Sequence, residues 1–355
     1  MKIVHVIESS ATGTLSIVMM AAQYQARQHD VTVIFSRRPD TPPNIEALFP
    51  SNVTLIEVAM SPKHFPWSLF ALRSQIKKVQ PDVIHCHSSF AGFLGRLSSL
   101  FMKSKVFYSP HCISFMRKDI SPLKSFLFKA FESIASVRPA TYIACSESER
   151  SAIKSALSFA DVTLLENAVD LSDFSQLRKL GAMSKKATIL TVGGIRPQKG
   201  FTEFSNIAKV AKEFAHLDLH FVWIGDGSPE DRAILEAAGV EVTGWKNRQE
   251  VIELLKEADI YLSTSLWEGM PVSVIEASAA GLPLLLRDCA GNSDVVSDKC
   301  GGRLFTQTSE AIVLLYQFLV DPDKFRQATL PDRTAVFQRF SVERFAQHLE
   351  EIYQI

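Results

Sequence analysis

The chain has no run of uncharged apolar residues near the roughly 18–20 that a membrane-spanning helix needs, so any bilayer contact is expected from one side only. Cysteine is scarce. The five present (Cys86, Cys112, Cys145, Cys289, Cys300) are scattered, odd in number and never spaced C-x-x-C. That excludes a disulfide scaffold and reads as a reduced, cytoplasmic protein. Met1 leads straight into the strand-like run KIVHVI without a basic segment and cleavage site, so no signal peptide is expected. Two phosphate-binding fingerprints are missing as well. Neither G-x-x-x-x-G-K-[ST] nor G-x-G-x-x-G occurs, which argues against a Walker loop and a nicotinamide cofactor. Short repeats and low-complexity tracts are absent. Net charge is zero over 355 residues, but unevenly spread: residues 1–165 carry 18 Lys and Arg against 11 Asp and Glu, the remainder 20 against 27. A basic first half suits an anionic partner such as phosphate or a membrane surface, or is simply a set of solvated faces. No nucleic-acid partner is expected.

What is present is an alternation of short β-branched runs with longer amphipathic ones, in a chain 46% hydrophobic and 21% charged. That is a soluble globular composition, long enough for two domains. In the first half the expected strands are 3–7, 31–35, 53–58, 82–86, 105–109 and 141–145, with helices such as Ser68–Val79 and Ser121–Ser136 between them. In the second half they are 187–192, 219–224, 240–244, 259–264 and 282–287. Its helices include Phe201–Ala215, Glu250–Ala258, Val272–Ala280 and Glu310–Leu319. Alternation of this kind implies a parallel sheet covered on both faces, here twice. The expected fold is therefore α/β, two Rossmann-like parallel-sheet domains facing a central cleft. Their junction falls near Asn167–Lys186, a polar stretch containing Asp170, Asp173 and Gly181. Ligands of such sheets bind at the C-terminal ends of the strands.

Strand 187–192 runs into GGIRPQKG and then a helix. Gly193 and Gly194 allow a tight turn and close approach, the helix start offers free N–H groups, and Arg196 and Lys199 add full charges. The combination suits a diphosphate; the alternative is an ordinary turn. A second turn, GDGSP (225–229), follows the next strand. Gly13 follows the first strand of the chain and precedes an apolar helical pattern, Leu15–Gln25.

The stretch SLWEGMPVSVIEA (265–277) places Glu268 in a turn and Glu276 in an otherwise apolar helix. Helical side chains lean toward the N-terminus, so Glu276 can point back to the strand ends. A buried carboxylate without donors costs several kcal/mol or takes up a proton. A ribose diol would supply two donors; an internal salt bridge or a helix cap is the other explanation.

With these residues placed, Val242–Phe305 resembles the C-terminal domain of family 4 glycosyltransferases, retaining enzymes of the GT-B fold, whose signature is E-x7-E. Other stretches agree in order: KIVHVIESS with Gly13, PDVIHCHSS (81–89), FYSPHCISF (107–115), CSESER (145–150), NAVDLSDF (167–174), GGIRPQKG, GDG, the run ADIYLSTSLWEGMPVSVIEASAAGLPLL and AGNSDVV (290–296). The resemblance implies an acceptor-binding domain over residues 1–169, a donor-binding domain over 170–339, and a last helix (340–355) crossing back onto the first. It implies that Glu276 holds the nucleotide ribose, that Glu268 lies by the donor sugar, and that the backbone of Gly269, Met270 and Pro271 meets phosphate or sugar. Lys199 would neutralise the leaving diphosphate, and His111 would lie beside the sugar. Gly225, Asp226, Trp245, Gly291 and Asn292 fall on the donor side, Gly13, Thr14 and His87 on the acceptor side.

Three positions depart from the family pattern. Gly194 stands where arginine is usual, with Arg196 as a substitute; Cys112 stands where glycine follows the histidine; Asn167–Ala168–Val169–Asp170 replaces N-G-V-D. The expected reaction moves a sugar from a nucleotide-sugar donor to an acceptor hydroxyl with retention, without a cofactor or metal. The one D-x-D, Asp321–Pro322–Asp323, reads as a surface turn, and the pair His85 and His87 as packed or acceptor-lining. Trp245 either covers the base or packs. The stretch 115–134 mixes Arg117, Lys118, Lys124 and Lys129 with Phe126, Leu127, Phe128 and Phe131. It is either a core-facing helix or one that lies on the inner face of the cytoplasmic membrane beside a lipid-linked saccharide acceptor. A sugar-nucleotide epimerase and a non-catalytic nucleotide-sugar-binding subunit are the competing readings.

Overall fold

The computed structural model describes residues 1–174, 186–214, 218–296 and 300–354. Gly181, in the expected junction, and Ala215, the expected end of a helix, lie outside the described residues. The chain forms two compact units, Met1–Asn167 with Val342–Ile355, and Ala168–Ser341.

In chain order the first unit runs β1 (Lys2–Ile7), α1 (Thr12–Gln25), β2 (Asp30–Phe35), β3 (Val53–Glu57), α2 (Phe65–Val79), β4 (Val83–His87), α3 (Ser89–Ser98), β5 (Lys105–Ser109), α4 (Pro122–Ala135), β6 (Thr141–Ala144), α5 (Glu147–Ala156) and β7 (Asp161–Leu164). The strands form one sheet in the order β3-β2-β1-β4-β5-β6-β7. All neighbours are parallel. Strands such as Val-Ile-His-Cys-His are buried at every position because helices cover both faces. One apolar cluster joins Val4, Val6, Ile84 and Tyr108 to α2 and α3; another joins Ile7, Val31 and Val33 to Leu15, Val18 and Ala22 of α1.

The second unit continues with β8 (Lys186–Val192), α6 (Phe201–Phe214), β9 (Asp218–Ile224), α7 (Pro229–Ala237), β10 (Glu241–Val242), α8 (Arg248–Glu257), β11 (Ile260–Ser263), α9 (Val272–Ala279), β12 (Leu284–Arg287), α10 (Asn292–Val295), β13 (Arg303–Phe305), α11 (Thr308–Val320), α12 (Pro322–Thr329) and α13 (Arg333–Phe340). Its parallel sheet has the order β10-β9-β8-β11-β12-β13. The chain thus winds outward from β8 in one direction, then restarts beside it at β11. The gap between those two strands is the switch point where ligands of doubly wound sheets sit. In the first unit the switch point lies between β1 and β4. The last helix, α14 (Val342–Gln354), packs in the first unit, where His29 Nε2 meets Glu350 Oε2 at 3.0 Å and Lys105 reaches the Gln354 carbonyl at 3.2 Å.

Several elements differ from the sequence expectation for physical reasons. Strands β7 and β13 are short sheet edges without an apolar run, so neither stood out. The expected strand 240–244 shrinks to Glu241–Val242, because Gly244 turns left-handed (φ 72°) just beyond it. Helix α1 starts at Thr12, so Gly13 and Thr14 sit in its first turn rather than ahead of it. Ser121 is the cap of α4, accepting the Lys124 N–H, and Ser136 its C-cap. Asp321 caps α12 by accepting the Lys324 N–H at 3.0 Å, while the Asp323 side chain is 99% exposed. Among the described residues no helix is long and apolar enough to cross a membrane.

Candidate active site

In the second unit, the loops after β8 and β11 meet across the switch point. Lys199 Nζ donates to Glu268 Oε1 at 2.7 Å, and Gln198 Nε2 donates to Glu268 Oε2 at 3.3 Å and to the Trp267 carbonyl at 3.1 Å. The backbones are tied too. Leu266 N–H donates to Gln198 O at 2.8 Å, and Thr264 Oγ1 to Lys199 O at 2.9 Å. Glu268 is only 7% exposed. Burial works against the charge of Lys199, but the Glu268 carboxylate prevails and holds the ammonium above its usual value.

The neighbouring loops complete the surface. Glu268 N–H donates to the Ala290 carbonyl at 3.0 Å, and a Cβ at Gly291 would lie 2.6 Å from the Glu268 Cβ, so the loop after β12 needs glycine there. Asn292 is fully buried; its Nδ2 donates to the Arg287 carbonyl at 3.0 Å, and among the described residues its Oδ1 has no partner. Gly225, after β9, presses on the Gly193 carbonyl, where an added Cβ would come within 2.1 Å. Asp226 accepts the Ile195 N–H on its carbonyl and pairs with Arg232 at 3.3 Å. Arg196 is exposed, and its Nε would lie 3.1 Å from a Cβ on Gly194. Its side chain therefore occupies the space that a longer residue at 194 would enter. The Trp245 ring edge lies 3.3 Å from the same point, with the side chain 59% exposed. Gly269, Met270 and Pro271 are buried and lead into α9, whose start has no side-chain cap.

Glu276 is the fifth residue of α9 and is buried. Its donor is a residue the sequence reading missed: Arg248 Nη1 contacts Glu276 Oε1 at 2.5 Å and Arg248 Nε contacts Asp173 Oδ2 at 3.0 Å. Burial pushes the Glu276 carboxyl up, with Arg248 opposing it. A buried carboxylate in this helix thus has a protein counter-ion and does not by itself require a ribose. The available signal was the capping box Asn247–Glu250, which starts α8 and sets Arg248 at its first position.

In the first unit the switch point gathers histidines. His5 on β1 and His85 and His87 on β4 are all buried on one side of the sheet. His111, just after β5, closes the row, with His87 Nδ1 and His111 Nε2 3.0 Å apart. Burial lowers His5 and His111 to about 4; burial and the neighbouring imidazoles push His85 and His87 well below the usual value. His5, His85 and His87 bring ring nitrogens within 4.8 Å of one another, a spacing open to a metal ion. Each of these nitrogens already has a hydrogen-bond partner: His5 has His87 and Gln25, His87 has His5 and His111, and His85 has Tyr353 and Ser109. A cavity of about 10 Å³, room for roughly one water, lies against His85, His87, His111, Cys145 and Asn167. Gly13 and Thr14 are not among its lining residues.

His111 and Cys112 both have left-handed backbones, φ 54° and 91°, which explains why glycine suits the second position. The strained pair is held by Glu149, another residue missed from sequence. Its fully buried carboxylate accepts the N–H groups of Cys112 (2.7 Å), Ile113 (2.8 Å) and Cys145 (2.9 Å). Ser146 and Glu149 look like a helix capping box, and Ser146 does cap α5, but the glutamate reaches across to the histidine loop instead.

The family model "Glycosyltransferase Family 4" matches residues 14–173, and "Glycosyl transferases group 1" matches 173–329. An uncharacterised 41.2 kDa protein of the Klebsiella pneumoniae cps region is 32% identical over 63% of this chain and 64% of its own length. The Escherichia coli UDP-Gal:α-D-GlcNAc-diphosphoundecaprenol α-1,3-galactosyltransferase is 29% identical over 67% of this chain and 65% of its own. The matched stretch is slightly under two thirds of each relative's length. Among solved structures, sucrose-phosphate synthase from Thermosynechococcus elongatus superposes with a TM-score of 0.84 at 16% identity, covering 99% of this chain and 98% of that one. Anabaena Alr3699/HepE in complex with UDP gives 0.80 at 18% identity, covering 100% of both. Two family matches that meet at residue 173, on two parallel-sheet units with this fold, place the chain among the family 4 glycosyltransferases of the GT-B fold.

Proposed function

We propose that the protein transfers a sugar from a nucleotide-sugar donor to an acceptor hydroxyl with retention of configuration and without a resident metal. The observation that carries this reading is the Lys199–Glu268 contact at the switch point of the second sheet. The bond from the anomeric carbon to the diphosphate oxygen breaks, and a bond to the acceptor oxygen forms on the same face. The acceptor proton passes to the departing phosphate. The transition state is oxocarbenium-like. Lys199, Arg196 in place of an arginine at 194, and the uncapped start of α9 meet the negative charge that grows on the diphosphate. Glu268, Gly269, Met270 and Pro271 line the sugar and phosphate, Gly225, Asp226, Gly291 and Asn292 frame the nucleotide, and Trp245 offers a ring to the base. Glu276 accepts the ribose diol alongside Arg248. Gly194 favours one second reading, a nucleotide-sugar-binding subunit; turnover that appears only with acceptor separates the two.

Titrating a panel of nucleoside diphosphates and nucleotide sugars tests the donor side. One base is expected to bind and raise the melting temperature. Glu276→Leu is expected to weaken it about tenfold or more, the worth of a hydrogen bond to a charged group. Unchanged affinity for every nucleotide in Glu276→Leu removes the ribose role.

For the acceptor we propose a lipid-linked saccharide of surface-polysaccharide synthesis, met at an anionic membrane surface. The names of two relatives, from Escherichia coli and Campylobacter jejuni, specify diphospho-undecaprenol acceptors. Helix α4 exposes Leu123, Phe126 (66%), Leu127, Phe131 and Ile134, and α2 exposes Trp67 (77%) and Phe70. Phe93 of α3 touches both Phe65 and Phe131, which joins the two helices into one face. Lys118, Lys124 and Lys129 flank it. Beneath, Arg96 clamps the buried Glu132 of α4 at 2.5 Å, with Tyr142 Oη donating to the same carboxylate at 2.8 Å. The double variant Phe126→Asp/Phe131→Asp is therefore expected to fold, and to lose at least ~80% of its co-sedimentation with phosphatidylglycerol vesicles. Retained binding overturns the membrane face.

A further inference from the structure

We propose that Gln25, His5 and His87 set the tautomer of His111 through a hydrogen-bond chain, so that His111 offers a bare Nδ1 as an acceptor. The chain runs Gln25 Oε1 to His5 Nε2 at 2.8 Å, His5 Nδ1 to His87 Nε2 at 2.9 Å, and His87 Nδ1 to His111 Nε2 at 3.0 Å. A glutamine carbonyl only accepts, so His5 Nε2 carries the proton. A neutral ring has one proton, so His5 Nδ1 is bare and accepts from His87 Nε2–H. By the same step His87 Nδ1 is bare and accepts from His111 Nε2–H, which leaves Nδ1 of His111 bare. Each link removes one of the two tautomers, and the choice at Gln25, the last residue of α1, reaches the loop after β5.

One further feature fits this argument. All four rings are neutral near pH 7 because burial lowers their proton affinity, which the one-proton-per-ring argument requires. The amide faces His5 with its oxygen, and its buried Nε2 has no hydrogen-bond partner among the described residues. His85 stands apart from the chain, satisfied by the Tyr353 hydroxyl at 2.7 Å and Ser109 Oγ at 2.8 Å.

On the transferase reading, from which this consequence follows, His111 accepts a hydrogen bond from a hydroxyl of sugar or acceptor at Nδ1 and donates none there. Gln25, His5 and His87 are positioning residues: they act only through His111.

The test is the ¹⁵N spectrum of the histidine rings in the full chain, with His111→Gln to assign the signal, and it needs no substrate. The wild type is expected to show His111 protonated at Nε2 and bare at Nδ1 from pH 8 to pH 5. A wild-type His111 protonated at Nδ1 overturns the proposal, whatever the variants do. Gln25→Leu, which removes the carbonyl, is expected to give mixed tautomers and a kcat about tenfold lower with donor KM unchanged. Gln25→Glu, still an acceptor toward His5, is expected to restore the single tautomer. A wild-type tautomer in Gln25→Leu overturns the proposal even if activity falls, since the residue is then merely structural. A changed tautomer with unchanged kcat leaves the chain standing and counts against the placement of His111 beside the sugar.

Discussion

Lys199→Ala is expected to lower turnover by at least ~10²-fold, the loss that follows removal of one preorganised donor to a developing anion. The contact with Glu268 makes the experiment sharper than the substitution alone. On the proposed reaction, removing the ammonium withdraws a charge from the diphosphate, and it also leaves the Glu268 carboxylate, 7% exposed, without its cation. The second effect places a bare negative charge where the proposed leaving group sits, so the loss in Lys199→Ala is expected to exceed that from missing stabilisation alone. Glu268→Gln then separates the terms. In the double variant the repulsion is gone, and the remaining deficit is that of the lysine itself. If Lys199 acts on the transition state, kcat and kcat/KM fall together while donor KM changes little; a rise in KM with kcat preserved means that it only holds the ground state. Lys199→Arg keeps the charge but alters the fork at Glu268, and is expected to recover part of the rate. Near-normal kcat in Lys199→Ala removes the lysine from the mechanism.

Alternation of apolar runs made the two sheets legible, because parallel strands buried on both faces must be continuously apolar. It failed where that pressure is absent, at the half-exposed edges β7 and β13. The loop after β8 was legible because glycines and cations share one short stretch. The partners that set the electrostatics were not. Arg248 lies 28 residues before Glu276, and Glu149 lies 37 after Cys112, and both sit inside sequence patterns that look like helix caps. His5 and His87 are 82 residues apart, and only the pairing of β1 with β4 brings them together. His85 and His87, two apart on one strand, could be read as facing one side, but nothing in the sequence showed that His5 and His111 extend them into a row. Residue types along one element report the face they line. What they meet there depends on topology, and local patterns do not encode it.

The histidine row also gives the first unit a steep acid sensitivity. In the unfolded chain each of these imidazoles has a pKa near 6.5; in the fold His5 and His111 lie at about 4, and His85 and His87 well below the usual value. A group whose folded pKa is depressed contributes stability that is fully present above the unfolded pKa and is lost as pH falls toward the folded one. For His5 and His111 the window runs from about 6.5 to about 4, and His85 and His87 act in the same direction. His5 alone accounts for roughly 3 kcal/mol across it. Two carboxyls work against this: half-buried Glu8 and fully buried Glu149 are raised by desolvation, so their protonation as pH falls favours the fold. They are two against four, and Arg38 and the loop N–H groups hold their shifts down, so the histidines dominate. Hydrogen exchange at the amides of β1 and β4, followed from pH 7.5 to pH 4, reports this unit directly. Protection is expected to fall steeply below pH 6.5. His5→Gln, which removes one uptake site, is expected to start lower at pH 7.5 but to decline with a shallower slope. A parallel decline in the two proteins means that acid acts elsewhere and that the row does not control stability.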